Sequence, residues 1–233
     1  MKAAIITGAS TGIGSACAAA FSASGYRVFN LARRACPVAG VTDMPCDLSD
    51  AADSARVCAA LGRPIADCSS VALIHNASQM RKDSVAQCDS DSLRQVLGVN
   101  VVAINTLNQH LLPQLPATSS VLYVGSTLAE KAVPGTFSYV VSKHAQLGMM
   151  RATCQDLMGC GIHTALICPG FTDTEMLRTH LGDDDQVVRS IAAMNSYNRL
   201  IQPGEIAELI HWAHHNPVIN GSVLHANLGQ REH

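Results

Sequence analysis

Aromatic residues are scarce, at 4% of the chain with a single tryptophan. The core must therefore come from Ala, Val, Ile and Leu, within the 48% of residues that are apolar, rather than from packed rings. Acid is missing from the whole opening: no Asp or Glu precedes Asp43. No long basic run occurs either, and the formal net charge is −2, which argues against nucleic-acid binding through a basic surface. No apolar run reaches the length of a membrane span, so no membrane partner is expected. The N-terminus enters a strand at once, so no signal peptide is expected. The nine cysteines include no CxxC pair, a usage that points to free thiols in a reducing compartment, with the cytoplasm as expected location. Internal repeats and low-complexity linkers are absent, and 233 residues suit one α/β domain, 1–233.

What is present is organised around the first fourteen residues. Ala3, Ala4, Ile5 and Ile6 form an apolar run suited to a strand buried on both faces, as in a parallel sheet. Thr7 and Gly8 end it, Gly12 and Gly14 flank Ile13, and an alanine-rich helix is expected over 15–24, with Gly25 just past its end. A strand, a glycine-rich turn and a helix start make an anion site, because the free helical N–H groups favour a pyrophosphate. Further strands are expected at 26–32, 41–46, 71–75, 121–125, 162–168 and 222–226. Helices are expected at 51–61 capped by Ser49, then at 90–112, 138–159 and 203–215. Alternating strands and helices predict an α/β fold: a Rossmann-like, doubly wound parallel sheet with helices on both faces. Thr7, Asn76, Ser126 and Thr172 each follow a strand, at the sheet edge where ligands bind in such folds.

A dinucleotide site usually places an acid after the second strand, for the ribose 2′-hydroxyl. Here that strand ends in Ala32, Arg33 and Arg34. An arginine there pairs with a 2′-phosphate, so NADP(H) is preferred over NAD(H), against the alternative of two solvated loop cations. Asp47 and Leu48, after the third strand, suit the adenine edge, or else Asp47 serves the start of the next helix. Tyr139 and Lys143 are spaced to share a helical face. A phenol titrates near pH 10 unaided, and a nearby ammonium lowers that. With Ser126 to hold a carbonyl or hydroxyl oxygen, the set suits hydride transfer with Tyr139 as general acid or base.

Together these motifs resemble those of the classical short-chain dehydrogenase/reductases. Thr7-Gly8-Ala9-Ser10-Thr11-Gly12-Ile13-Gly14 resembles that family's TGxxxGIG turn. His75-Asn76-Ala77-Ser78 is similar to its NNAG, Tyr139-Val140-Val141-Ser142-Lys143 to its YxxxK, and Pro169-Gly170 to its PG step. The resemblance implies seven strands in the order 3-2-1-4-5-6-7, and a homodimer or homotetramer built on the two long helices. It implies that Asn100 is a fourth catalytic residue holding a relay water, and that Lys143 bonds the nicotinamide ribose. It also implies adenosine-side contacts from Asp47, Leu48, Asn76 and Ala77, carboxamide contacts from Thr172 and Thr174, and Arg33 at the 2′-phosphate. A substrate-covering lid is implied at about 171–202. The substrate is then a small carbonyl or alcohol compound.

The chain departs from the pattern at His75, at Ser78 in place of glycine, at Thr172, and in a short link from Arg33 to Asp47 that leaves little room for a helix. His211, His214 and His215 have helical spacing but no evident ligand set, so no metal is expected, and the exposed end of a late helix accounts for them. Met149, Met150 and Met158 suit core or interface packing, and Asp183 to Asp185 a solvated helix start. Other readings are a nucleotide-binding sensor or a structural subunit on the same fold, or an NAD(H)-dependent alcohol dehydrogenase. The intact Asn100, Ser126, Tyr139 and Lys143 set argues against a sensor.

Overall fold

A computed structural model describes residues 1–182 and 185–231. Seven strands, β1 (Lys2–Thr7), β2 (Arg27–Ala32), β3 (Thr42–Pro45), β4 (Ser70–His75), β5 (Ser120–Val124), β6 (His163–Pro169) and β7 (Ser222–Ala226), form one sheet. Every pairing is parallel and the order is β3-β2-β1-β4-β5-β6-β7, as expected. The helices are α1 (Gly12–Ala23), α2 (Ala51–Ala66), α3 (Ser90–Leu97), α4 (Ala103–Leu111), α5 (Phe137–Asp156), α6 (Glu175–Leu181), α7 (Asp185–Ala192) and α8 (Pro203–His214).

Alternation along the strands divides the core in two. Ala4, Ile6, Val28, Ile74, Leu122 and Ile167 face α1 and α8, where Phe21, Ile206 and Ile210 fill the space. Ile5, Leu31, Leu73, Val121 and Leu166 face the other way, onto α2, α4 and α5 through Val57, Leu61, Leu107 and Met150. Each such side chain, fully buried, contributes about 1.5–3 kcal/mol of hydrophobic stabilisation before entropy is counted.

Several boundaries differ from the expectation, each for a local reason. Asp50, not Ser49, caps α2: its carboxylate accepts from the N–H groups of Ala52 and Asp53, while the Ser49 N–H and hydroxyl are both held by Asp47. The helix runs on to Ala66 despite Pro64. Pro169 belongs to β6, pairing with Ala226, instead of closing it. The helix expected over 90–112 is interrupted by a π-helical turn, Gly98–Val102, between α3 and α4. His214 is buried rather than exposed, with Nδ1 2.7 Å from Ser120 Oγ. Gly25 does follow α1 with φ +77°, and no helix separates β2 from β3. Of the acids expected to open a helix, Asp185 starts α7, while Asp183 and Asp184 lie outside the described residues. Met150 is core and Met158 is exposed.

Candidate active site

The carboxyl ends of β1, β4, β5 and β6 carry the residues picked out in the sequence. The first is the glycine turn. Gly8 and Gly12 adopt φ +71° and +55°, backbone shapes that favour glycine. Gly14 has no room for a side chain: a Cβ there would stand 2.2 Å from the Gly8 carbonyl oxygen. Thr11 begins α1 without a side-chain cap, and no acid lies in the first turn. The N–H groups of Gly12, Ile13 and Gly14 are thus available to an anion, with Ser10 beside them.

The turn is braced from behind. Thr7 Oγ1 accepts from the N–H groups of Asn76 and Ala77, both at 2.9 Å. Asn76 Nδ2 donates to the carbonyls of Thr7 and Gly8 at 3.0 and 3.1 Å. Asn76, expected near adenosine, therefore has its amide committed to the turn. Asn30, inside β2, is a residue the sequence reading missed. Its Oδ1 accepts from Ala9 N–H at 2.9 Å, and its Nδ2 donates to Asp43 and to the Arg34 carbonyl. An asparagine within an apolar strand was the available signal.

Arg33 and Arg34 have different surroundings. Arg34 makes a two-pronged ion pair with Glu175 of α6, at 3.2 and 3.1 Å. Arg33 is exposed and close enough to Asp47 to help hold that carboxyl below its usual range, after the larger effect of the Ser49 hydrogen bonds. Leu48 packs partly buried against the core. Across the site, Thr174 caps α6 and its methyl lies against Gly12, while Thr172 Oγ1 donates to the Gly170 carbonyl at 3.1 Å. Gly170, after Pro169, is pressed against Asn227, where a Cβ would come within 2.9 Å of that residue's own. This cradle, with a close-packed glycine turn and uncapped helix N–H groups, fits the pyrophosphate of a dinucleotide.

The chemistry-bearing groups meet beside it. Tyr139 and Lys143 are both buried in α5, with Lys143 Nζ 5.3 Å from the Tyr139 ring centroid. The hydroxyls of Ser126 and Ser78 stand close enough to the phenol to lower its pKa. Ser126, in the turn after β5, also accepts from Leu128 N–H. Ser78 Oγ is buried and makes no well-formed hydrogen bond within the protein. Burial outweighs both hydroxyls and pushes the phenol up to about 12. Burial also brings the Lys143 ammonium down to about 7. The lowering of the phenol expected from Lys143 does not appear in the polypeptide alone, because desolvation disfavours both charged forms.

Asn100 lies in the π-helical turn, completely buried. Its Oδ1 accepts from Gln79 N–H at 2.7 Å, and its Nδ2 donates to the Gln79 carbonyl and to Ser142 Oγ, both at 2.9 Å. It thereby ties the segment after β4 to α5. The start of α5 is capped from a distance by Asp83, whose Oδ1 accepts from Ser138 N–H at 3.0 Å. His75 is buried against Asn108, Nε2 to Oδ1 2.8 Å, below the site. Among the described residues no group of His, Cys, Asp and Glu is arranged to hold a metal, and no helix is long and apolar enough to cross a membrane.

This arrangement has close parallels. The family model described as enoyl-(acyl carrier protein) reductase matches residues 8–230. A 2-keto-3-deoxy-L-fuconate dehydrogenase of Xanthomonas campestris is 30% identical over 223 residues, covering 90% of this chain and 72% of that protein. An acetoacetyl-CoA reductase of Rhizobium meliloti is 26% identical over 98% of both chains. The Pseudomonas aeruginosa RhlG/NADP active-site complex superposes with a TM-score of 0.88 at 26% identity, over 98% of this chain and 95% of that one. With its sheet order and glycine turn, the chain belongs to the classical short-chain dehydrogenase/reductases, a family of nicotinamide-linked oxidoreductases.

Proposed function

We propose that this protein is an NADP(H)-dependent oxidoreductase interconverting a carbonyl compound and its alcohol, with Tyr139 as general acid and base. The observation that carries the reading is the buried phenol of Tyr139, with the Ser126 and Ser78 hydroxyls beside its oxygen and the Lys143 ammonium against its ring. In reduction, Tyr139 gives its proton to the substrate oxygen while Ser126 donates a hydrogen bond to the same atom. In oxidation the phenolate takes that proton back, and the Lys143 ammonium stabilises the charge. When bound, the nicotinamide supplies or accepts the hydride and, oxidised, adds a positive charge near the phenol. Asn100 holds α5 in register with the loop after β4. Arg33, the arginine not paired to Glu175, favours the 2′-phosphate of NADP(H).

The relatives supply the first substrates to try, a 3-oxoacyl thioester and a 2-keto-3-deoxy sugar acid. Acetoacetyl-CoA with NADPH, and 2-keto-3-deoxy-L-fuconate with NADP⁺, are each followed by absorbance of the reduced nicotinamide. Turnover is expected with one class, and Tyr139→Phe is expected to lower it by about 10²- to 10⁴-fold. Turnover indifferent to that substitution would remove Tyr139 from its role, and NADPH binding without turnover on carbonyl compounds generally would favour the sensor. On the same reading the protein forms a homodimer or homotetramer through the two long helical stretches, α3 to α4 and α5, and works in the cytoplasm, where its free thiols persist.

A further inference from the structure

Lys143 is 1% exposed, and an ammonium so deeply buried requires fixed acceptors. It has two: the Val124 carbonyl of β5 at 2.9 Å and Gln146 Oε1 at 3.1 Å. Gln146 lies one helical turn along α5, on the same face, and is itself 1% exposed. Its Nε2 donates to the Asn100 carbonyl at 2.8 Å. That bond settles which end of the amide faces Lys143, since the reversed amide would set N–H groups against an ammonium and oxygen against a carbonyl. An unbroken line of contacts then runs from β5 through Lys143 and Gln146 to the π-helical turn.

Resting on the assignment of Tyr139 and Lys143 given above, we propose that Gln146 is a positioning residue: its side-chain carbonyl holds the Lys143 ammonium beside Tyr139, and its N–H anchors that carbonyl to Asn100. A helix-borne lysine with one acceptor swings about its four-carbon stem, whereas one held between β5 and Gln146 keeps its charge against the Tyr139 ring. Acceptor bonds also favour the charged lysine over the neutral one. The groups facing this ammonium are Tyr139 and Gln146 from α5, Val124 from β5 and Cys168 from β6, with Asn100 of the π-helical turn behind Gln146. Burial keeps the Cys168 thiol neutral, pushed up to about 11. Glu130, which acts on Cys168, is itself paired with His225 at 2.9 Å. Gln146 is thus an uncharged support for the charge on which the phenolate depends.

The chain has only the lysines Lys2, Lys82, Lys131 and Lys143, so a titration of the intact protein with ¹³Cε-labelled lysine resolves the one of interest. Gln146→Met keeps the volume but removes both hydrogen bonds, and is expected to lower the Lys143 midpoint by about one unit. Gln146→Glu keeps an acceptor and adds charge, and is expected to raise it above the native value. In active enzyme, the ascending limb of kcat/KM for alcohol oxidation moves to higher pH in Gln146→Met, with the change in kcat rather than KM. A Lys143 midpoint equal in the native protein and both variants would overturn the proposal. Should Gln146→Met fail to fold, the comparison of Gln146→Glu with native protein decides alone. The titration needs no substrate, so it stands apart from the Tyr139→Phe assay: loss of the proposed activity leaves it readable, and a flat titration leaves the activity untouched.

Discussion

At the scale of single residues, two neighbouring arginines illustrate how position separates function from support. Arg34 is spent on Glu175, while Arg33 sits on the same exposed loop, near the Asp47 carboxylate. A 2′-phosphate gains charge-assisted hydrogen bonds from the free guanidinium, and NADH has nothing to offer it. Arg33→Ala is therefore expected to weaken NADPH binding by about 10- to 100-fold, from the 1.5–3 kcal/mol of a charged hydrogen bond, and to leave NADH binding nearly unchanged. Fluorescence titration with the two nucleotides reads this directly. Equal losses for both would mean that Arg33 supports the loop rather than the phosphate. Arg34→Ala should have the smaller effect on NADPH, because its loss is felt first at α6. In the sequence the strand end offered both arginines and the family resemblance singled out Arg33; the partner that occupies Arg34 was not legible, since Glu175 lies 141 residues further along the chain.

At the scale of elements, what was legible follows from how far each element depends on distant partners. Strands buried on both faces show as apolar runs, and β4, VALIH plus Ser70, was legible almost to the residue. The π-helical turn was not, because Asn100 is placed there by Gln79, Ser142 and Gln146, none of them neighbours in sequence. The same holds for the start of α5. Thr136 offers it no side-chain cap, and Asp83 supplies one from 55 residues away. Asp83→Ala is expected to cost about 1–2 kcal/mol of stability and to loosen the first turn, with Tyr139 on it. Urea unfolding measures the first effect and hydrogen exchange of 137–141 the second. The segment 171–202 behaves oppositely. Neither α6 nor α7 contains a buried residue; the exposed Arg34–Glu175 pair ties α6 to the loop after β2, and the partly exposed Arg178–Asp173 pair lies within the segment itself. Exposed pairs hold weakly, so these helices open at little cost. Exchange across 175–192 should slow on adding NADPH with a carbonyl substrate, as the half-buried Leu177 and Leu181 close over them. Unchanged exchange would mean that the segment is not a lid.

At the scale of the whole molecule, buried histidines set the response to acid: His75 and His214 most strongly, with His163 lowered by burial in the same direction. His75 is enclosed between β4 and α4, and burial holds its pKa down at about 4, against the hydrogen bond from its Nε2–H to Asn108 Oδ1 that opposes the shift. His214 sits beneath the sheet against Ser120 and Ser70, brought down to about 3 by burial and then by His215, His163, His211 and Lys2. Both are bases whose folded pKa lies below the unfolded value near 6.5. Above that pH neither state binds the proton, and stability is indifferent to pH. Below it the unfolded chain takes up protons that the native state refuses, so stability falls as the pH drops from about 6.5 towards 4, by roughly 3 kcal/mol for His75 at the limit. Only at lower pH does the Glu205 carboxylate add to the loss, since Arg199 and the Gln202 N–H hold its pKa at about 2 and its contribution disappears below the ordinary carboxylate range. Acid unfolding should therefore begin well above the pH at which carboxylates protonate. His75→Asn removes one of the protons involved. Whatever it does to stability at neutral pH, the slope of unfolding free energy against pH between 6.5 and 4 should fall by about 1.4 kcal/mol per unit where the proton is fully bound to the unfolded chain. Urea midpoints collected across that range test the slope, and a parallel curve in the variant would show that His75 takes its proton in the folded state.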